Sequence, residues 1–327
     1  MHPRLAHADC LSHHDESIRQ STEDRDSGRA AVDEHEELAR QFEQNRGHLR
    51  AVAYRMLGSL AEAEDAVQEA WLRLSRTDVS DVGNLAGWLT TVVSRVCLDM
   101  LRSRKSRRED SLDTYVPDPI IERVDGELGP EGEAMQADAI GLALLVVLET
   151  LSPAERLAFV LHDMFGVGFD EIATIVDKSP AATRQLASRA RRRVQGAPAS
   201  DGDVSRQRAV VEAFMAASRG GDFEALLELL DPEVLLRADA GGASAEFAGP
   251  AVSKLVRGAK AVVEQALLFS RMAPYNQLAI VNGAPGVITV VNDRLMGVMA
   301  VTVAAGKITQ IDILADLDRL EIIPLPA

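Results

Sequence analysis

The chain has 327 residues, 46% of them hydrophobic and 4% aromatic, with a formal net charge of -15. That length suggests two or three domains with cores of Leu, Val, Ile and Ala. Its two cysteines, Cys10 and Cys97, lie far apart without metal-type spacing, which argues against a disulfide framework and fits a reducing cytoplasm.

Residues 1–34 are polar and show no helical or strand period, so they are expected to form a disordered extension. His7, Cys10, His13 and His14 in this tail have no second half with ligand spacing, and no metal is expected there. MHPRLAHADC also lacks the apolar centre of a signal peptide. From 35 to 108 the pattern is helical. Leu38, Phe42, Leu49, Val52, Ala53, Met56 and Leu57 form one stripe, and Leu60, Ala63, Val67, Ala70, Trp71 and Leu74 a second. After a polar break a third helix runs from Leu85 to about Ser103, with Trp88, Leu89, Val92, Val93, Val96 and Leu101 on its core face. Its tail, RSRKSRR from Arg102 to Arg108, is basic and suits a helix C-terminus.

Residues 109–138 hold ten acidic residues, three prolines and three glycines, the composition of an acidic linker. Helices resume over 139–195. The apolar run from Gly141 to Leu148 is eight residues, and even with the preceding Ala139 and Ile140 it falls well short of the ~20 that a membrane span needs.

The most informative stretch is Phe169 to Val194, FDEIATIVDKSPAATRQLASRARRRV. Ile172, Ala173 and Val176 form a stripe on a first helix, and Ala182, Leu186 and Ala190 a seam of small side chains on a second. Ser179-Pro180 starts the second helix as N-cap and first helical residue. Asp177 sits where such turns often use glycine, and aspartate tolerates the left-handed conformation. The other face carries Thr183, Arg184, Gln185, Ser188, Arg191 and Arg192. Arginine bonds a guanine edge in fork geometry, glutamine an adenine edge, and all of them reach phosphates. The stretch is a DNA-reading helix-turn-helix. An acidic chain with such a basic island is expected to bind DNA well only when a partner holds it there.

A second linker, 196–204, precedes a different region. Residues 205–327 give helices at Ala209 to Arg219 and Phe223 to Leu230, a strand at Val234 to Ala238, and a helix from Gly258 to Arg271. Four β-branched runs follow, separated by NGAPG, ND and AAGK turns, the pattern of an α+β domain.

AEDAVQEAWLRL (Ala63 to Leu74) and GWLTTVVSRVCLDMLRSRKSRR (Gly87 to Arg108) resemble region 2 of the extracytoplasmic-function sigma factors of bacterial RNA polymerase. Leu151 to Val194 resembles their region 4, and the last segment resembles the SnoaL-like, cone-shaped barrel appended to one branch of the family. The resemblance implies two all-α helical domains followed by an α+β barrel. It implies core RNA polymerase and promoter DNA as partners, no cofactor and no reaction. The core-polymerase ridge would be Glu62, Asp65, Gln68 and Glu69; Asp65 and Glu69 at i, i+4 repel each other until a basic partner arrives. The -10 strand would follow Arg95, Arg102, Arg104, Lys105, Arg107 and Arg108 beside the loop Asp78 to Leu85, and the helix-turn-helix would read the -35 element.

Barrels of this kind elsewhere include enzymes with a pocket aspartate, for which Asp239 and Asp312 are the candidates. No histidine lies beyond His162, so acid–base partners are few. The expected role is regulation through contact with the rest of the chain or with polymerase. The rival reading is a ligand-binding or catalytic barrel tethered to a DNA-binding module.

Overall fold

The computed structural model describes residues 36–79, 82–107, 114–122, 141–196, 203–241, 253–268 and 270–325. The tail with His7, Cys10, His13 and His14 lies outside them. The first module packs α1 (36–57), α2 (Leu60–Leu74) and α3 (Leu85–Arg107). Their buried faces are the stripes expected from the periodicity: Leu49, Val52, Ala53 and Met56 on α1, Ala63, Val67 and Ala70 on α2, and Leu89, Val93 and Val96 on α3. Gly58 turns the chain between α1 and α2 in the left-handed region, at φ +69. Ser59 then caps α2 by accepting the Glu62 N–H.

The second module begins with α4 (Leu142–Glu149) and α5 (Pro153–Phe159). Ser152 and Glu155 form a reciprocal capping box with proline in the first turn of α5. A π-helical stretch, Val160–Met164, extends α5. Next come α6 (Phe169–Val176) and α7 (Pro180–Gln195).

The C-terminal region has α8 (Val204–Gly220), α9 (Phe223–Leu229), α10 (Ala259–Leu268) and a short α11 (Leu317–Glu321). Its sheet contains β1 (Ile121–Glu122), β2 (Leu230–Asp239), β3 (Lys254–Arg257), β4 (Asn276–Val281), β5 (Ala284–Val291), β6 (Arg294–Ala304) and β7 (Lys307–Leu314), in the order β1-β4-β5-β6-β7-β2-β3. The expected meander is present as β4 to β7. Its three hairpin turns, Asn282-Gly283, Asn292-Asp293 and Ala305-Gly306, have positive φ at both central residues. That is the turn whose twist matches paired strands.

One expectation is corrected. The sheet is open, with β1 and β3 at its edges, so it is not a closed barrel. The linker contributes to this sheet: Ile121 and Glu122 pair with Val281 and Ile280 and add an edge strand.

Strand alternation gives the sheet two apolar faces. One, with Val234, Leu236, Val287, Val301 and Ile311, packs on Val211, Phe214 and Val262 of the C-terminal helices. The other, with Ala279, Val281, Ile288, Val298 and Leu314, belongs to the same core as the helical modules. A sheet covered on both faces fixes the C-terminal domain against the rest of the chain.

Candidate nucleic-acid interface

The helix-turn-helix is built as its sequence requires. Asp177 ends α6 at φ 54 and ψ 56, and Ser179 Oγ accepts the Ala182 N–H at 3.2 Å to start α7. Ile172, Ile175 and Val176 then pack with Leu186, Ala187 and Ala190.

The arginines of α7 divide into two sets. Arg189 Nε donates to Glu155 Oε1 at 2.7 Å and Arg193 Nη1 to Glu155 Oε2 at 3.0 Å, tying α7 to α5. Burial pushes the Glu155 carboxyl up, but Arg189, the Ser152 hydroxyl and backbone, and Arg193 outweigh it and hold it at about 2. Arg191 Nε donates to Asp163 Oδ1 at 2.6 Å, so this nominated DNA contact is engaged within its own module. Arg184, Gln185, Ser188 and Arg192 are exposed. Arg184, Ser188 and Arg192 follow at i, i+4 and i+8 along one edge of the helix. The Arg184 guanidinium lies 5.6 Å from the Phe169 ring, which stacks on His162 at 3.8 Å. Thr183 is a correction. It is fully buried and its hydroxyl donates to the Ser179 carbonyl at 3.0 Å, so it faces the module and not solvent.

On α3, Arg95 and Arg102 are exposed. Arg95 Nη2 reaches the Thr174 carbonyl of α6 at 3.4 Å, and Arg102 lies 3.6 Å from Asp99. Arg104 is drawn inward: both terminal nitrogens donate to the Leu57 carbonyl at 3.1 Å, and it pairs with Glu62. The side chains of Lys105 and Arg107, and all of Arg108, lie outside the described residues, as do residues 80 and 81 of the adjoining loop. Trp88 is half-buried against the core, as its place in the stripe requires.

On α2, Asp65 and Gln68 are exposed, while Glu69 accepts from Arg73 Nε at 3.0 Å and Glu62 is held by Arg104. Sequence reasoning missed Leu72, which is 45% exposed in line with Asp65 and Gln68 at i+7 and i+4. An apolar side chain left outward on an otherwise regular amphipathic helix was its signal.

The two aspartates nominated as pocket carboxylates lie outside the cluster of Val234, Leu236, Val287, Val301 and Ile311 that packs on the C-terminal helices. Both point from the opposite face of the sheet. Asp312 accepts from Arg237 Nη1 and Gln310 Nε2, each at 2.7 Å. Burial pushes its carboxyl up, against the pull of Arg237. Asp239 Oδ2 accepts the Val116 N–H at 3.1 Å and Arg319 Nη1 at 2.8 Å. This second contact belongs to a junction that composition had hidden. Asp118 is 1% exposed. One carboxylate oxygen accepts Arg319 Nε at 2.8 Å and the other the Leu60 N–H at 2.8 Å, at the N-terminus of α2. Its carbonyl accepts the Tyr54 hydroxyl at 2.6 Å, and Tyr54 accepts from Asn282 Nδ2 at 3.2 Å. Asn282 also exchanges hydrogen bonds with the Ile120 backbone. The linker is thus bonded to the first module on one side and to the C-terminal domain on the other.

The comparisons agree with this geometry. The sigma-70 region 2 family model matches residues 41–107, and the sigma-70 region 4 model matches residues 141–194. The ECF RNA polymerase sigma factor SigJ of Mycobacterium tuberculosis H37Rv is 41% identical over 300 residues, covering 87% of this chain and 94% of that protein. The probable ECF RNA polymerase sigma factor SigI of the CDC 1551 strain is 36% identical over 298 residues, covering 89% and 97%. The crystal structure of M. tuberculosis SigJ superposes with a TM-score of 0.70 at 39% identity, covering 88% of this chain and 99% of that one.

Proposed function

This chain belongs to the extracytoplasmic-function RNA polymerase sigma factors, and from that premise we propose how its parts divide the work of promoter-specific transcription initiation. Core RNA polymerase docks on the outward ridge of α2, with Asp65, Gln68 and Leu72 as contacts. Glu62 and Glu69 stand beside them, each held by an arginine. The -10 strand follows α3 through Arg95 and Arg102, continuing along the basic run to Arg108. The -35 duplex takes α7 in its major groove through Arg184, Gln185, Ser188 and Arg192.

The observation that carries this reading is the division of the α7 arginines. Arg189, Arg191 and Arg193 are committed to carboxylates of the same module, whereas Arg184 and Arg192 stand outward with Gln185 and Ser188 between them. A helix serving only solubility has no need of that sorting.

The SnoaL-like C-terminal domain acts in cis, through the Asp118–Arg319–Asp239 junction and the sheet face shared with the helical core. Both nominated aspartates are consumed by arginines on that face, which supports a structural and regulatory domain over a catalytic one. The chain works in the cytoplasm with polymerase and carries no reaction of its own. None of the helices among the described residues is long and apolar enough to cross a membrane.

The test is co-elution of the full chain with bacterial core RNA polymerase, followed by run-off transcription on genomic fragments. The expected result is a stable holoenzyme that initiates at a discrete set of promoters. A chain that binds duplex DNA alone and ignores core enzyme would replace this reading with a tethered DNA-binding module.

A further inference from the structure

The π-helical stretch Val160–Met164 stands between α5 and the helix-turn-helix, and two neighbouring side chains on it treat the arginines of α7 differently. A π turn carries one residue more than an α turn, which re-aims the side chains on it, and such turns recur at functional sites. The chain leaves the stretch through two bonds, from the Gly166 N–H to the His162 carbonyl at 3.1 Å and from the Val167 N–H to the Leu161 carbonyl at 2.9 Å. Gly166 supplies the left-handed conformation this exit needs, at φ +69. Asp163 accepts from Arg191 Nε and so withdraws that arginine into the module. His162 instead meets Phe169 in the first turn of α6. Its imidazole is fixed twice. Nδ1 lies 2.9 Å from the Val167 carbonyl, which can only accept, so Nδ1 carries the proton. The ring stacks on Phe169 with centroids 3.8 Å apart and planes 29° from parallel. Phe169 is itself partly buried against the core, and the exposed Arg184 holds its guanidinium over that ring, 5.6 Å from the centroid. A cation over a ring face is attracted by the quadrupole and gives up none of its N–H donors. A cation held by a carboxylate, as Arg191 is, gives up the donors that would fork onto a guanine edge.

We propose that His162 is a positioning residue for promoter recognition: through Phe169 it holds the Arg184 guanidinium in place before DNA arrives, and so sets how sharply the chain discriminates at the -35 base pair that Arg184 reads. An unrestrained arginine loses rotamer freedom when its fork docks on a base. Ordering it beforehand removes part of that loss and narrows the range of base edges it can reach. The ring does this without competing for the donors, which an acidic neighbour would do. The π turn thereby sorts two arginines of one helix, with Asp163 retaining Arg191 and His162 presenting Arg184. The effect on promoter choice rests on the α7 reading above, whereas the stack rests only on contacts within the helix-turn-helix module.

The experiment uses the full chain, free and in holoenzyme. In the free chain the Arg184 Nε–H signal, identified by its loss in Arg184→Ala, is recorded by NMR. The Phe169 ring is expected to shift it away from the other exposed arginines, and His162→Asn to return it toward them. Asparagine places an N–H where Nδ1 stands, so the bond to the Val167 carbonyl is kept and only the ring is removed. In holoenzyme, affinity is measured for duplexes of a promoter recovered by run-off transcription, with each -35 base pair replaced in turn. Arg184→Ala is expected to lower discrimination at one base pair about tenfold or more. His162→Asn is expected to lower it about two- to fivefold at that same base pair, and the double variant to match Arg184→Ala alone. Phe169→Leu, which keeps apolar bulk without a ring, is expected to reproduce the His162→Asn result if that variant fails to fold. A wild-type Arg184 signal or wild-type discrimination in folded His162→Asn would overturn the positioning role, as would a loss spread evenly over the -35 element. If Arg184→Ala lost no discrimination while the Arg184 signal still depended on His162, the assignment of α7 to the -35 element would fall and the positioning role with it, leaving only the stack.

Discussion

Arg319 and Asp118, 201 positions apart, pair at 2.8 Å where the linker passes between the first module and the C-terminal domain. Arg319 also donates to Asp239 and to the Val116 carbonyl, and its guanidinium lies 4.8 Å from the Tyr115 ring. One side chain in α11 thereby gathers a linker carboxylate, a linker carbonyl and a strand-end carboxylate. Arg319→Ala leaves Asp118 buried without its cation, a change that costs about 3–5 kcal/mol at comparable sites. Urea unfolding should show that loss, with the C-terminal domain melting apart from the helical modules. Arg319→Lys should recover only part of it, because an ammonium cannot fork between two acceptors. Unchanged, single-transition unfolding of Arg319→Ala would mean that the shared apolar core alone joins the domains.

The two sets of α7 arginines call for opposite phenotypes. Arg184→Ala should weaken promoter binding by the holoenzyme by about 1–3 kcal/mol and relax preference within the -35 element, without changing the melting temperature. Arg189→Ala should lower the melting temperature, since Glu155 is 6% exposed and loses one of two cations. Its promoter selectivity should be that of the wild type. Footprinting on a mutated -35 series, run beside thermal melts, separates the two. A reversal of these phenotypes would turn the helix around on its DNA.

How much of this was legible depends on how local each cause is. Ser179-Pro180, Asp177 and the Asn282-Gly283 turn act through their own backbone, and the sequence shows them directly. Thr183 was misplaced because the seam of Ala182, Leu186 and Ala190 describes a helix gripped along one line. The buried set is Thr183, Leu186, Ala187 and Ala190, since α7 packs against both α5 and α6. Asp239 and Asp312 were nominated from the likeness to barrel enzymes with a pocket aspartate, and alternation reveals which residues share a face and not which partner covers it. When both faces of a sheet are buried, the polar-out signal disappears. Asp118 was hidden by composition. Its segment is acidic and proline-rich like a solvated tether, and the arginine that buries it lies in the last helix. Arg104 was recognised as basic, but only the fold shows that it turns toward Glu62.

Acid should test the Glu155 node. Its carboxyl lies at about 2 in the folded chain against an ordinary 4.5, so the unfolded chain binds the proton more readily. The contribution of Glu155 to stability is therefore complete above the ordinary value and is lost as pH falls toward 2. Glu155→Gln should lower stability at neutral pH and also flatten the decline between about pH 5 and pH 2 relative to wild type. Urea midpoints collected across that range measure the difference. Parallel wild-type and variant curves would show that Arg189 and Arg193 do not depend on the charge of Glu155.

The α2 ridge gives the remaining test. Glu69 is tied to Arg73 and Glu62 to Arg104, while Asp65 and Gln68 are exposed beside the outward Leu72. An exposed carboxylate at the rim of an interface chiefly sets the association rate and its salt dependence, whereas an apolar side chain buried on docking sets the dissociation rate. Asp65→Asn should therefore slow association with core polymerase and flatten its dependence on salt. Leu72→Ala should speed dissociation several-fold, corresponding to about 1 kcal/mol. Surface-plasmon kinetics on immobilised core enzyme distinguish the two effects, and both variants should keep the wild-type melting temperature because neither side chain supports the core. If Leu72→Ala left both rates unchanged while Asp65→Asn slowed association, docking would be confined to the acidic end of α2, with Leu72 outside the contact.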